Sequence, residues 1–174
     1  MQALLFILDA LITLVVIAYL LRLLMPMVRA DFRNPIGQAV LKATDPLVRP
    51  LRRALPPAGK VDLASLAALV IVQLAGTALL QLVAGGGFDL GAILVRGLVG
   101  LLHTVLQFYT VAVLLYAVLS WVAPGTHSPA NQILGRLCEP LLAPVRRVVP
   151  PFGGLDLSAL FVLIALQALQ ILVR

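Results

Sequence analysis

Asp9 and His103 are the residues of this sequence best placed to hold or pass a proton, because each stands inside a long apolar run where a titratable group is expensive. Other polar residues recur around them at helical spacing. Gln73, Thr77 and Gln81 lie four apart, and His103, Gln107 and Thr110 share one helical face. Asp9 with Thr13, and Gln167 with Gln170, repeat the pattern. Such stripes support two chemistries. The leading one is interhelical glue, in which Gln and Thr bond across helices for about 1 kcal/mol or less each. The alternative is a proton or cation pathway. The cluster to be tested is Asp9, His103, Gln107, Gln73 and Gln167. Asp9 and His103 fall at similar depths, roughly 9 Å along their helices, so they are expected within hydrogen-bond or single-water reach.

A second constellation is cationic. Arg49, Arg52 and Arg53 recur as Ala143, Arg146 and Arg147 in a later segment, with only the first position losing its charge. Paired arginines beside apolar runs suit anionic lipid headgroups, at about 1 kcal/mol per residue, or a protein partner. Aromatic interleaving is sparse, only Phe32, Trp121 and Phe152, so direct nucleic-acid contact is not expected. Nothing in the chain assembles an enzyme. There is no phosphate-binding glycine loop, nucleophile elbow or zinc spacing. The glycine run at Gly85 lacks a following lysine, and His127 has no ligand companions. Tyr109 and Tyr116 face no cofactor motif, and Cys138, the sole cysteine, reads as a small apolar residue. No cofactor or metal is expected.

The elements that must carry these residues are membrane helices. The chain has 174 residues, 61% of them hydrophobic and 11% charged, with a mean hydropathy of +1.08. A chain this short cannot bury so much apolar surface in one globular core. Four runs reach the roughly 20 residues needed to cross a bilayer: about Ala3 to Leu24, Leu63 to Ala84, Leu98 to Val122 and Leu155 to Val173. The first lacks a basic leader and is long for a signal peptide, so it reads as a retained helix. Arg29, Arg33, Lys42, Arg49, Arg52, Arg53 and Lys60 crowd the first connection, with Arg22 at its edge; Arg136, Arg146 and Arg147 occupy the third. The short Gly-rich connection between them holds only Arg96. The positive-inside rule then places both basic loops in the cytoplasm and both termini outside.

A shift of 94 positions superposes the chain on itself: fifteen of forty pairs between residues 34–73 and 128–167 are identical. Pro35 meets Pro129, Pro46 meets Pro140, Pro50 meets Pro144, and Arg52-Arg53 meets Arg146-Arg147. Pro56-Pro57 meets Pro150-Pro151, Gly59 meets Gly153, and Asp62 meets Asp156. Prolines and arginine pairs do not align through apolar bias, so this is a duplication. Each copy crosses twice, which makes a parallel repeat about an axis along the membrane normal. The units are residues 1–84 and 98–174, joined by a Gly-rich extracytoplasmic connector at 85–97. Asn34, Asp45, Ser128 and Glu139 each precede a proline, the pattern of a helix cap. Two short amphipathic helices per loop are therefore expected, their leucines dipping into the acyl boundary.

The segment MVRADFRNPIGQAVLKATDPLVRPLRRALPPAGKVDLASL resembles the signature of the YggT family, called YlmG in Gram-positive and plastid relatives. The segment LSWVAPGTHSPANQILGRLCEPLLAPVRRVVPPFGGLDLSAL resembles its duplicated partner, and together the likeness covers Arg22 to Gln167. The resemblance implies an arginine at the end of the helix before each loop. Arg22 fills that place in the first copy, and Tyr116 stands there in the second. It also implies a multi-pass bacterial inner-membrane protein, with relatives tied to osmotic or potassium homeostasis, cell division and plastid nucleoid distribution. The expected fold is all-α, a polytopic membrane protein with four transmembrane helices in two parallel helix–amphipathic loop–helix repeats. The expected function is a non-enzymatic scaffold or assembly factor, linked to cell division or envelope homeostasis. It would show a basic surface to anionic lipid and to cytoplasmic or membrane protein partners, with a homo-oligomer left open. The alternative is a small transport or osmoregulatory component handling potassium or protons.

Overall fold

The computed structural model describes residues 1–28, 34–56, 61–122, 128–148 and 157–173. Within them the chain is all-helical, with six helices in the order α1 (Gln2–Met27), α2 (Pro35–Ala54), α3 (Leu63–Val83), α4 (Leu90–Val122), α5 (Pro129–Val148) and α6 (Ser158–Leu172). Arg29, Phe32, Arg33, Pro57, Gly59, Lys60, His127, Pro150, Pro151, Phe152, Gly153, Asp156 and Arg174 lie outside the described residues.

Three helices, α1, α3 and α4, are long and apolar enough to cross a membrane. These are three of the four expected spans, counted among the described residues. The fourth apolar run yields a described helix of 15 residues, about 22 Å at the α-helical rise, against a hydrocarbon core of about 30 Å. The third run is longer than read: α4 begins at Leu90, so most of the connector is helix. The turn before it is compact. Gly85 takes φ +81°, its N–H donates to the Leu82 carbonyl, and the Gly86 N–H donates to Gln81. This paired closure satisfies the last carbonyls of α3 and needs the left-handed conformation that glycine adopts freely. Asp89 then caps α4, accepting from the Ala92 N–H at 3.2 Å.

The two loop helices are each one continuous 20-residue helix, not two short ones. Their starts are as read: Asn34 accepts from the Gly37 N–H at 2.8 Å, and Ser128 accepts from Asn131 at 3.1 Å. Asp45 and Glu139 are therefore not caps. They lie mid-helix, and the prolines after them remove N–H donors without ending the helix. Tertiary packing keeps α2 intact: Val40, Thr44 and Val48 are buried, the last two completely. The apolar face of α2 meets α1 and α3, where Leu47, Leu51 and Leu55 pack against Val16, Leu20 and Ala68. Those leucines were expected at the acyl boundary. They are partly buried against the protein's own core.

A matching cluster in the second half joins α4, α5 and α6 through Leu106, Val113, Cys138, Leu142 and Val162. Met25 of α1 joins the halves by packing with Ile133 and Leu137 of α5. Glycine brings helices close where α3 meets α4: a Cβ on Gly97 would stand 2.6 Å from Leu74. Small residues at such crossings let dispersion forces act between apolar helices that gain little from hydrophobic burial in lipid. The outer faces are apolar and exposed, as at Phe6, Leu14, Val95, Leu114 and Ile164.

Candidate functional site

Two groups of polar residues stand out, one at the junction of α1 with α2 and the other between α1, α3 and α4. At the first, Arg22 is 3% exposed. Its Nη1 donates to Asp45 at 2.6 Å, to the Thr44 hydroxyl at 2.8 Å and to the Leu41 carbonyl at 3.3 Å. Its Nε is buried without a partner. The hydrogen bond from Arg22 holds the Asp45 carboxyl below the usual carboxylate range, against desolvation and with help from Arg49. Arg49 completes the carboxylate's shell at 2.6 Å.

The second half solves the same problem with different residues. Tyr116 occupies the place of Arg22, Cys138 that of Thr44 and Glu139 that of Asp45, each 94 positions on. Arg146 of α5 reaches back to meet them: it donates to Glu139 at 3.1 Å and to the Tyr116 hydroxyl at 3.2 Å, over the tyrosine ring at 6.0 Å. A cross-helix ion pair with a buried arginine is replaced by a more exposed, same-helix one tied to an aromatic ring.

The basic candidates divide accordingly. Arg49, Arg52 and Arg146 are engaged with Asp45, Asp62 and Glu139. Asp62, although partly buried, is drawn below the usual carboxylate range by Ser65 and Arg52. Arg53 and Arg147 are exposed and form no ion pair among the described residues. The sequence placed Arg22 at the edge of the basic loop and at a family position; its spacing from Asp45 carries no helical signal, because the pair closes across two helices.

The second site is a cavity of about 530 Å³. It brings together four of the five predicted members of the polar cluster: Asp9, His103, Gln107 and Gln73. Thr13, Thr77, Gln81 and Thr104 line it too. Gln167 does not; it is exposed on α6, where its neighbour Gln170 donates to Thr110 of α4 at 2.7 Å. That bond is the interhelical glue expected of the stripes. Asp9 and His103 share the cavity wall, and no hydrogen bond joins them. They are 94 positions apart, as are Thr13 and Gln107, so equivalent positions of the duplicated sequence face one space. Arg96 also lines the cavity. It was read as a connector residue because α4 was started too late; its four- and seven-residue spacing to Gly100 and His103 is the signal that places it.

Among the described residues no group of three or more His, Cys, Asp or Glu side chains forms a metal site. Three described helices long and apolar enough to cross a membrane, with a polar cavity between them, are the features of a helical membrane protein. The profile of the CCB3/YggT family matches residues 1–83 and 86–174, and the chain belongs to that family. It is 40% identical over 174 residues to an uncharacterized protein of Pseudomonas aeruginosa, covering 98% of this chain and 88% of that one. It is 36% identical over 170 residues to the uncharacterized protein YggT of Escherichia coli K12, covering 98% and 88%. A Vibrio alginolyticus relative is 38% identical over 169 residues, covering 96% and 91%. No solved structure matches the chain.

Proposed function

We propose that this protein is a non-enzymatic scaffold or assembly factor of the bacterial inner membrane, holding a basic surface in fixed geometry for anionic lipid and partner proteins. In this reading four spans form two parallel repeats, the basic loops are cytoplasmic and both termini lie outside. The observation that carries it is the buried Arg22–Asp45 pair. A loop that only enforced topology would not need a buried arginine paired with Asp45 and a fully buried Thr44 to seat its helix. The seat fixes which face of α2 is turned away from the core, and Arg49, Arg52 and Arg53 ride on that face. In α5, Arg147 does the same.

The polar cavity favours a second reading, a small transport or osmoregulatory component. Beyond the cavity, the stretch of α1 holding Tyr19, Leu20, Leu23 and Met25 is buried and mostly apolar, with Arg22 as its polar member, and ion flux in reconstituted vesicles tests this second reading.

The test is site-specific photocrosslinking in native membranes from positions 53 and 147. A defined protein or anionic-lipid adduct is expected at both, weakened when the neighbouring arginines become glutamine. Absence of any adduct from either position, in cells where the protein is folded, would remove the scaffold reading.

A further inference from the structure

Asp9, Arg96 and His103 face one cavity, and among the described residues none of them has a hydrogen bond or an ion pair. Asp9 and Arg96 line one space with opposite charges and do not pair with each other. A ligand that carries both charges would satisfy both. The cavity is open, since Asp9 and Arg96 are exposed while lining it. It does not end as a polar chamber. Thr13, Thr104 and Gln107 also border an adjoining crevice of about 270 Å³ between α1 and α4, walled by Ile17, Phe108 and Val111. A charged chamber feeding an apolar crevice has the layout of a headgroup site with a tail groove.

We infer that the cleft between α1 and α4 binds a membrane phospholipid whose headgroup carries a phosphate and a primary ammonium. Arg96 takes the phosphate as a charge-assisted donor. Asp9 accepts from the ammonium, with His103 and the surrounding amides completing the polar shell. One acyl chain lies along Ile17, Phe108 and Val111. The carboxylate argues against a purely anionic headgroup, which it would repel. No Phe, Tyr or Trp ring lines the polar chamber among the described residues, so the cage that recognises a quaternary ammonium is missing. That selects an ethanolamine headgroup over a choline one. This site is independent of the basic faces of α2 and α5.

The experiment is lipid retention by the full chain, purified from membranes and measured by native mass spectrometry in mixtures of phosphatidylethanolamine, phosphatidylcholine and phosphatidylglycerol. The ethanolamine lipid is expected to be retained over both others. Asp9→Asn and Arg96→Gln should each reduce that preference roughly tenfold, the loss of one charge-assisted hydrogen bond. Val111→Trp should fill the crevice and lower lipid retention while the protein stays folded by thermal unfolding. Equal retention of the three lipids by the unaltered protein overturns the proposal, and that measurement needs no variant to fold. Saturable binding of soluble phosphoethanolamine with no preference among lipids overturns it too, assigning the chamber to a free zwitterion. Disulfide capture of a second copy from cysteine at position 9 would assign the cleft to an oligomer interface and likewise overturn it.

Discussion

Burying Arg22 takes a guanidinium out of solvent, and only one of its nitrogens is bonded, so its position depends heavily on Asp45. Removing one partner of a buried pair is far more damaging than replacing both. Asp45→Asn should therefore destabilise by about 3 kcal/mol, read as a drop in thermal midpoint in detergent. Arg22→Leu combined with Asp45→Leu should recover most of it. Equal damage from the single and the double replacement would show that the pair is not the lock. The pair also has a pH signature. Asp45 titrates below its unfolded value, so its stabilisation is complete above the ordinary carboxylate range and disappears as pH falls through the depressed folded value. The unaltered protein should lose midpoint on acidification below about pH 4, and the double-leucine variant should lose less over the same interval.

Element ends show which parts of the backbone are demanding. The turn from α3 to α4 requires a positive φ at Gly85, and a Cβ there would meet nothing within 4 Å. Gly87 is equally unobstructed, and no positive φ is imposed on it. Gly85→Ala should therefore cost about 1 kcal/mol through backbone strain alone, while Gly87→Ala should be neutral; matched thermal unfolding of the two variants isolates conformation from packing. This turn, the caps at Asn34 and Ser128, and the apolar spans were legible because each rests on neighbours in sequence. The continuity of α2 through Asp45-Pro46 was not. Locally, a carboxylate before a proline reads as a helix start, and the decision to continue comes from the burial of Thr44 and Val48 against α1 and α3. The polar cavity was half legible. Helical spacing grouped Asp9, His103, Gln73 and Gln107, whereas Arg96 was lost to a misplaced helix start and Gln167 was misassigned, because periodicity cannot say which neighbour a face meets.

At the scale of the whole molecule, α6 decides how many times the chain crosses. Helices α2 and α5 have bounds 94 positions apart at both ends, whereas α3 runs for 21 residues and α6 for 15. A helix near 22 Å crosses only if the bilayer thins or if residues beyond it extend the span, at a modest cost per ångström of mismatch. Its composition argues for crossing: α6 contains no charged residue, and its exposed face carries Leu160, Phe161, Ile164 and Ile171. Water would leave that face uncovered, so lipid is its natural solvent. Single-cysteine accessibility resolves the matter. Cys138 is fully buried, and burial pushes its thiol up to about 11, so it should stay unreactive in the folded protein and leave introduced thiols to report alone. With four spans, cysteines at positions 49 and 143 label only from the cytoplasmic side, and cysteines at 86 and 172 label only from outside. Labelling of position 172 from the cytoplasmic side, with 86 still outside, would make α6 a helix that enters without crossing and leave three spans. Labelling of position 49 from outside intact cells would reverse the orientation altogether, and with it the assignment of the basic faces to the cytoplasm.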